Sequence, residues 1–297
     1  MNAQALKHLE IPGRVAFAAG NGGLAKIIVT TRAAMAEIYL HGAHVTHFQK
    51  NGEAPLLFLS ARSGFGPGQP IRGGVPICFP WFGHREGGPS HGLARIAEWQ
   101  LVKTSVTDHG TVTLRFAMPR ITGDPAWNSL RTEFVVTVAD TLTMELTTAN
   151  ESGDGAAEIE NCLHTYFLVG DIRQVSLAGL AGAPFDDFAA GAAGARRVEN
   201  DPRLRITQET NRVYPDSTGV VEIHDEHLRR NIRVEKHNSR STVVWNPWTT
   251  QKLPDDFDPA EHQHMVCVES GNVKQNKISL APGGATSLKV VIRSQPQ

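Results

Sequence analysis

The sequence predicts an all-β protein, a large antiparallel β-sandwich, and three observations carry that expectation. Apolar and polar residues alternate, or β-branched residues cluster, over short runs along the whole chain. Gly, Asn, Asp or Pro separates one run from the next, as turns between strands require. Hydrophobic spacing of helical period rarely intervenes, so sheets must supply the core.

Taken in order, residues 1–24 form a lead-in, and "AKIIVTT", "AEIYLHG" and "PLLFLS" follow as the first expected strands. After a Gly- and Pro-rich stretch come "EWQLVKTSV", "TVTLRFAM", "TEFVVTV" and "TLTMELTTAN", four alternating runs with short polar breaks. "EIENCLHTYFLV" is a longer apolar run of strand type, and "GVVEIHDE", "NIRVEKH", "STVVWNPW", "HMVCVESGN" and "TSLKVVIRS" complete the series. Between them, "AGLAGAPFDDFAAGAAGARRVENDP" is Ala- and Gly-rich but carries Phe185 and Phe188, two anchors that a free linker does not need. It is expected as a surface excursion. Composition does not change across it, which favours one domain over residues 1–297, and no internal repeat of solenoid type is present.

With 297 residues the chain can bury a large core. Lys plus Arg number 29 against 30 Asp plus Glu, so no global charge draws it to nucleic acid or an acidic membrane surface. Cys78, Cys162 and Cys267 each sit in an apolar run and are expected as buried free thiols of a cytoplasmic protein. No apolar run approaches the length of a membrane helix, and "MNAQALKHLE" has no signal-peptide core.

Basic function is therefore local, and "IRGGVPICFPWFGHREGGPSHGLAR" is where it concentrates. From Ala61 to Arg95 the chain places Arg62, Arg72, Arg85, Arg95, His84 and His91 against Glu86 alone. Guanidinium forks suit phosphate oxygens, and the glycines of this loop would let backbone N–H groups approach a ligand. A long loop with merely solvated arginines fits the same composition.

Two strand-like runs carry groups suited to proton transfer: His164 in "NCLHTYFLVGD" and Glu269 in "MVCVESGNV". An imidazole and a carboxylate emerging from apolar strands are what general acid–base chemistry needs, although each also suits an ordinary core or surface position. His41, His44 and His47 in "HGAHVTHF" do not converge on a metal, because residues three apart on a strand face opposite ways. "EHQHM" offers two histidines on one strand face and is expected as a polar lead-in to the next strand. "GNGGLA" leads into a strand where a dinucleotide turn needs a helix. Phe79, Trp81, Phe82, Trp99, Tyr166, Trp245 and Trp248 lie near these loops and fit either a sugar pocket or a sandwich core.

"IRGGVPICFPWFG", "SHGLAR", "LHTYFLVGDI", "NRVY", "STVVWNPW" and "MVCVESGNV", in this order, resemble the glucose-6-phosphate 1-epimerases, or D-hexose-6-phosphate mutarotases, of the aldose 1-epimerase superfamily. The similarity runs from roughly Val29 to Arg293. It implies a galactose-mutarotase-like β-sandwich that interconverts the α and β anomers of a hexose 6-phosphate, glucose 6-phosphate first, with no metal or organic cofactor. It implies that His164 and Glu269 are the catalytic pair, that Arg72 and Arg95 contact the phosphate, and that Ser90 and His91 line the substrate pocket. Asn211 stands where the family commonly has Asp before the Arg of its "DRVY"-like motif, and can hydrogen-bond a sugar hydroxyl without carrying charge. The resemblance further implies a small-molecule partner and neither nucleic acid nor membrane; a monomer is the expectation. A His164 pKa near neutrality suits a mechanism in which acid and base exchange roles. Rival readings are a glycosidase using Glu269 with Glu160 or Asp171, a non-catalytic sugar-phosphate sensor on the same fold, and a cupin-like metal enzyme.

Overall fold

Period-two alternation becomes two large antiparallel sheets in the computed structural model, which describes residues 3–251 and 253–297. The nine-stranded sheet runs, in spatial order, through residues 204–205, 175–178, 221–225, 230–237, 285–296, 142–150, 130–138, 112–117 and 100–106. Its strands Leu130–Val138 and Leu142–Asn150 alternate buried and half-exposed positions along almost their whole length, as a sheet with one covered face must.

The eight-stranded sheet differs. Its path is 195–198, 184–187, 210–215, 241–246, 265–272, 161–163 and 77–78, with Tyr166–Leu168 also pairing onto Met265–Asn272. Every residue of Ser241–Asn246 and Met265–Asn272 is buried, so both faces of these central strands are covered. Val244, Val266 and Val268 belong to the main core between the sheets, together with Phe116, Phe134 and Trp99. Val243, Trp245, Met265 and Cys267 fall into two smaller apolar clusters, which line the opposite face. That is why "MVCVES" is a nearly continuous apolar run. Residues of the main core come from as early as Leu6 and as late as Ile292. A four-stranded sheet (15–19, 25–30, 34–39, 44–50) precedes the nine-stranded one in the chain.

Several expectations change. "PLLFLS" makes isolated bridges, Leu57 with Phe167 and Leu59 with Gly73, rather than a strand. "EIENCLHTYFLV" breaks into Ala157–Ile159, Asn161–Leu163 and Tyr166–Leu168. "EHQHM" keeps its expected place as a lead-in to a strand: Glu261–His264 lie in the 3₁₀ helix Pro259–His264, started by an Asp258–Glu261 capping box that the Asp-Pro pair permits, and Met265 opens the strand Met265–Asn272. The Ala/Gly-rich excursion is a hairpin, Pro184–Asp187 with Ala195–Val198, added to the edge of the eight-stranded sheet. Only Phe185 is an anchor, packed on Tyr214; Phe188 is 41% exposed. Among the described residues no helix is long and apolar enough to cross a membrane.

Candidate functional site

The outer face of the eight-stranded sheet forms the floor of a cleft of about 310 Å³. Strand periodicity places its floor: Val243 and Trp245 alternate with Val244, and Glu269 alternates with Val268. His164 sits where the chain leaves Asn161–Leu163 and re-enters the sheet at Tyr166–Leu168, beside Met265–Asn272. Its Nε2 is 3.3 Å from Glu269 Oε1. The Tyr166 ring lies nearly parallel to the imidazole, 4.8 Å between centroids, while His91 and Trp245 meet it edge-on.

Glu269 is 1% exposed, and its second oxygen accepts from the Cys162 thiol at 3.6 Å. Burial raises its pKa well above 4.5, which the Cys162 hydrogen bond and the Arg95 charge offset only in part. Burial likewise drives His164 well below 6.5, and the neighbouring His91, Arg95 and Arg72 add to the effect. The near-neutral value expected for His164 is thus displaced downward. Both shifts favour the uncharged forms, a carboxylic acid beside a neutral imidazole.

Arg72 lines the cleft and is held firmly. Its Nε lies 3.3 Å from each oxygen of Asp256, its Nη2 3.2 Å from Asp256 Oδ1, and its Nη1 donates to Tyr166 Oη at 3.3 Å. A fork fixed from behind in this way keeps its orientation before any ligand arrives. His91 also lines the cleft; burial, then Arg95, Arg72 and Lys274, lower its pKa to about 3. Asn211 lines it too, next to Trp245 across the Thr210–Pro215 and Ser241–Asn246 pair.

Two expected residues lie elsewhere. Arg95 donates through Nη2 to the Ser90 carbonyl at 2.7 Å, close enough to the cleft for its charge to act on His91 and His164, and Ser90 itself is exposed; neither is among the residues lining the cleft. The remaining loop cations are also engaged away from it: Arg62 pairs with Asp258 at 2.7 Å, and Arg85 stacks over Trp81 and Trp127. Nor do the loop's glycines serve mainly to admit a ligand. A Cβ on Gly74 would stand 2.4 Å from the Val45 carbonyl oxygen, and one on Gly92 2.1 Å from that of Phe79. Both have positive φ and let loop backbone pack against neighbouring backbone.

Lys274, Asp256, Gln251 and Cys162 are residues of the site that the sequence did not single out for it. For Cys162 a signal was available: it is two residues before His164 in an apolar run, the spacing of one face of an extended strand, although the strand ends at Leu163. Arg212, within "NRVY", is not in the cleft; it pairs with Glu199 at 2.6 Å and lies over Phe185. His41 and His44 are buried and bond the carbonyls of Gln69 and Gly73, each at 2.7 Å, so they close loops onto the core. His164, Cys267 and Glu269 bring one donor atom each within 4.8 Å of the others. Burial keeps the Cys267 thiol well above its ordinary pKa of 9.0, so it is held protonated rather than as the thiolate a metal takes.

Residues 26–293 match the family model described as aldose 1-epimerase. A Salmonella typhimurium protein provisionally named glucose-6-phosphate 1-epimerase is 34% identical over 255 residues, 82% of each chain. One of the same provisional name from Cenchrus ciliaris is 30% identical over 92% of this chain and 86% of its own. Among solved structures, a provisionally assigned mutarotase from Salmonella typhimurium superposes with a TM-score of 0.86 at 28% identity, covering 99% of both chains. A galactose mutarotase-like protein from Clostridium acetobutylicum shares the fold at 12% identity, with a TM-score of 0.69 over 95% of this chain and 98% of its own. With most of its length matched by that family model, and with relatives above 30% identity along more than four-fifths of it, the chain belongs to the aldose 1-epimerase family.

Proposed function

We propose that the protein interconverts the α and β anomers of a hexose 6-phosphate, glucose 6-phosphate first, with His164 and Glu269 as the proton-transfer pair. The observation that carries this reading is the 3.3 Å contact between His164 Nε2 and Glu269 Oε1 on the floor of a cleft that also presents Arg72. The provisional names of the relatives support the phosphorylated substrate.

Mutarotation takes a proton from the C1 hydroxyl and gives one to the ring oxygen, so that the C1–O5 bond breaks and an aldehyde forms. One proton on the pair suffices. In the resting cleft it sits on Glu269; transfer across the short contact to Nε2 leaves Glu269 as base and His164 as acid. Rotation about C1–C2 and reclosure on the other face return both groups to their starting states. The stacked Tyr166 ring keeps the imidazole plane fixed, and Arg72 holds the distant phosphate while the reactive end turns. His91, Asn211 and Trp245 bound the sugar.

We further read residues 1–297 as one domain, supported by a main core that draws on residues from Leu6 to Ile292. Three buried free thiols support a cytoplasmic setting. The test is NMR magnetisation exchange between the α and β C1 protons of glucose 6-phosphate, with unphosphorylated glucose alongside. Faster exchange of the ester is expected; exchange at the spontaneous rate for both sugars would sink the reading.

A further inference from the structure

Among the described residues lining the cleft, two are lysine or arginine, Arg72 and Lys274, and they are held differently. Arg72 is tied to Asp256 and Tyr166. The Lys274 side chain is exposed and, among the described residues, has no carboxylate within ion-pair distance; its ammonium lies 5.9 Å from the centroid of the Phe188 ring, itself part of the cleft wall. The same ammonium is 3.4 Å from where a Cβ on Gly83 would stand, so a side chain there would crowd it. Gly83, Phe188 and Lys274 come from three separate loops and meet at one part of the wall.

What brings Lys274 there is its backbone. Lys274 has φ +55°, a left-handed conformation that a lysine seldom adopts without external support. Its N–H donates to Glu160 Oε1, while Glu160 Oε2 accepts from Phe82 N–H at 3.0 Å and Glu160 N–H donates to Pro80 O at 2.8 Å. One carboxylate therefore fastens the Lys274 turn to the Pro80–Gly83 segment, and both of these loops line the cleft.

We infer that Lys274 is a specificity-determining residue, a further cation that meets the phosphate of the substrate, and that Glu160 is the positioning residue that sets it over the cleft. This rests on the hexose 6-phosphate reading above. An ammonium without a carboxylate partner surrenders no ion pair when a phosphate dianion arrives, whereas the Arg72 fork shares its donors with Asp256. Arg72 supplies a fixed direction and Lys274 supplies uncompensated charge.

The experiment measures kcat/KM for anomer exchange of glucose 6-phosphate and of glucose, and follows their ratio. Lys274→Met is expected to lower the ratio about tenfold, Lys274→Arg to restore most of it, and the loss to shrink as salt screens the charge. Glu160→Ala is expected to lower the ratio too, and the Lys274→Met/Glu160→Ala pair to lower it no further than Lys274→Met alone, because both act through one ammonium. Loss of fold stability alone would not move a ratio of two substrates on one enzyme. A ratio within twofold of the parent in Lys274→Met, while Arg72→Ala lowers it, would overturn the role of Lys274 and leave the function standing. An unmoved ratio in Glu160→Ala, or additive losses in the pair, would overturn the role of Glu160. A parent protein that accelerates neither sugar would overturn the function, and this inference with it.

Discussion

His164 Nε2 lies 3.3 Å from Glu269 Oε1, inside a wall that leaves the carboxylate 1% exposed. A pair this close and this dry shares one proton rather than holding two charges. On the proposed mechanism, replacing either member with glutamine, which neither accepts nor releases a proton at working pH, removes the proton relay. His164→Gln and Glu269→Gln should each slow glucose 6-phosphate mutarotation by roughly 10² to 10⁴. The double variant should lose little more than the worse single one, as for groups that act as a unit. NMR exchange rates across the three variants check this.

The pH dependence of turnover follows from the same shifts. The proposed mechanism needs one proton on the pair, so activity should fall at low pH when His164 gains a second proton and at high pH when Glu269 loses the last. The first event lies below 6.5 because burial, then His91, Arg95 and Arg72, disfavour the imidazolium; the second lies above 4.5 because burial disfavours the carboxylate. The profile of kcat/KM should be bell-shaped, with its acid limb below pH 6.5. An acid limb above that value would contradict the pairing. Cys162→Ala, which removes a donor to Glu269, should move the alkaline limb upward.

Arg72 is pre-set by Asp256 and Tyr166 within the cleft. Arg72→Ala should raise KM for glucose 6-phosphate by roughly 10- to 100-fold, the range for losing hydrogen bonds to a charged group, and should affect unphosphorylated glucose far less. Initial rates at varied concentrations of each sugar test the difference.

Lys236 is an ionisable group buried away from the cleft, bonded to Thr242 Oγ1 and Ser241 O. Desolvation lowers its pKa from 10.5 to about 7. Between those values the unfolded chain binds the proton more tightly than the folded one, so this group makes the fold more stable as pH rises, by up to about 1.4 kcal/mol per pH unit. Lys236→Met should raise the urea midpoint at pH 7, and the gain over the parent should narrow by pH 9.

His44 behaves in the opposite pH range. Burial holds it neutral down to about pH 3, while its Nε2 bonds the Gly73 carbonyl. The unfolded chain takes up this proton from about 6.5 downward, so folded stability should fall progressively between pH 6.5 and 3. His44→Asn, measured by urea midpoints at pH 7 and pH 5, should show a smaller acid loss than the parent.

Much of this protein was legible in its residues. Alternation marked the long strands of the nine-stranded sheet because each has one covered face, as Leu142–Asn150 shows. His164 and Glu269 stood out as polar groups in apolar strands. Arg95 and Ser90 were expected in the pocket from their place in a motif, yet the arginine bonds the Ser90 carbonyl and neither residue is among those lining the cleft. Phe188 looked like an anchor and is instead cleft wall. Lys274 and Asp256 carried no local signal at all.

The sequence by itself determined which side chains share a face, because a strand repeats every two residues whatever surrounds it. It thereby determined the sandwich and the floor of the cleft. Only the tertiary structure decided which cations reach that cleft and where the shared proton rests. Arg72 is aimed by a carboxylate 184 residues away, and Lys274 by one 114 residues away. The proton's resting place depends on how completely the rest of the chain removes water from Glu269, and burial of that kind is a sum over remote contacts that no local pattern encodes.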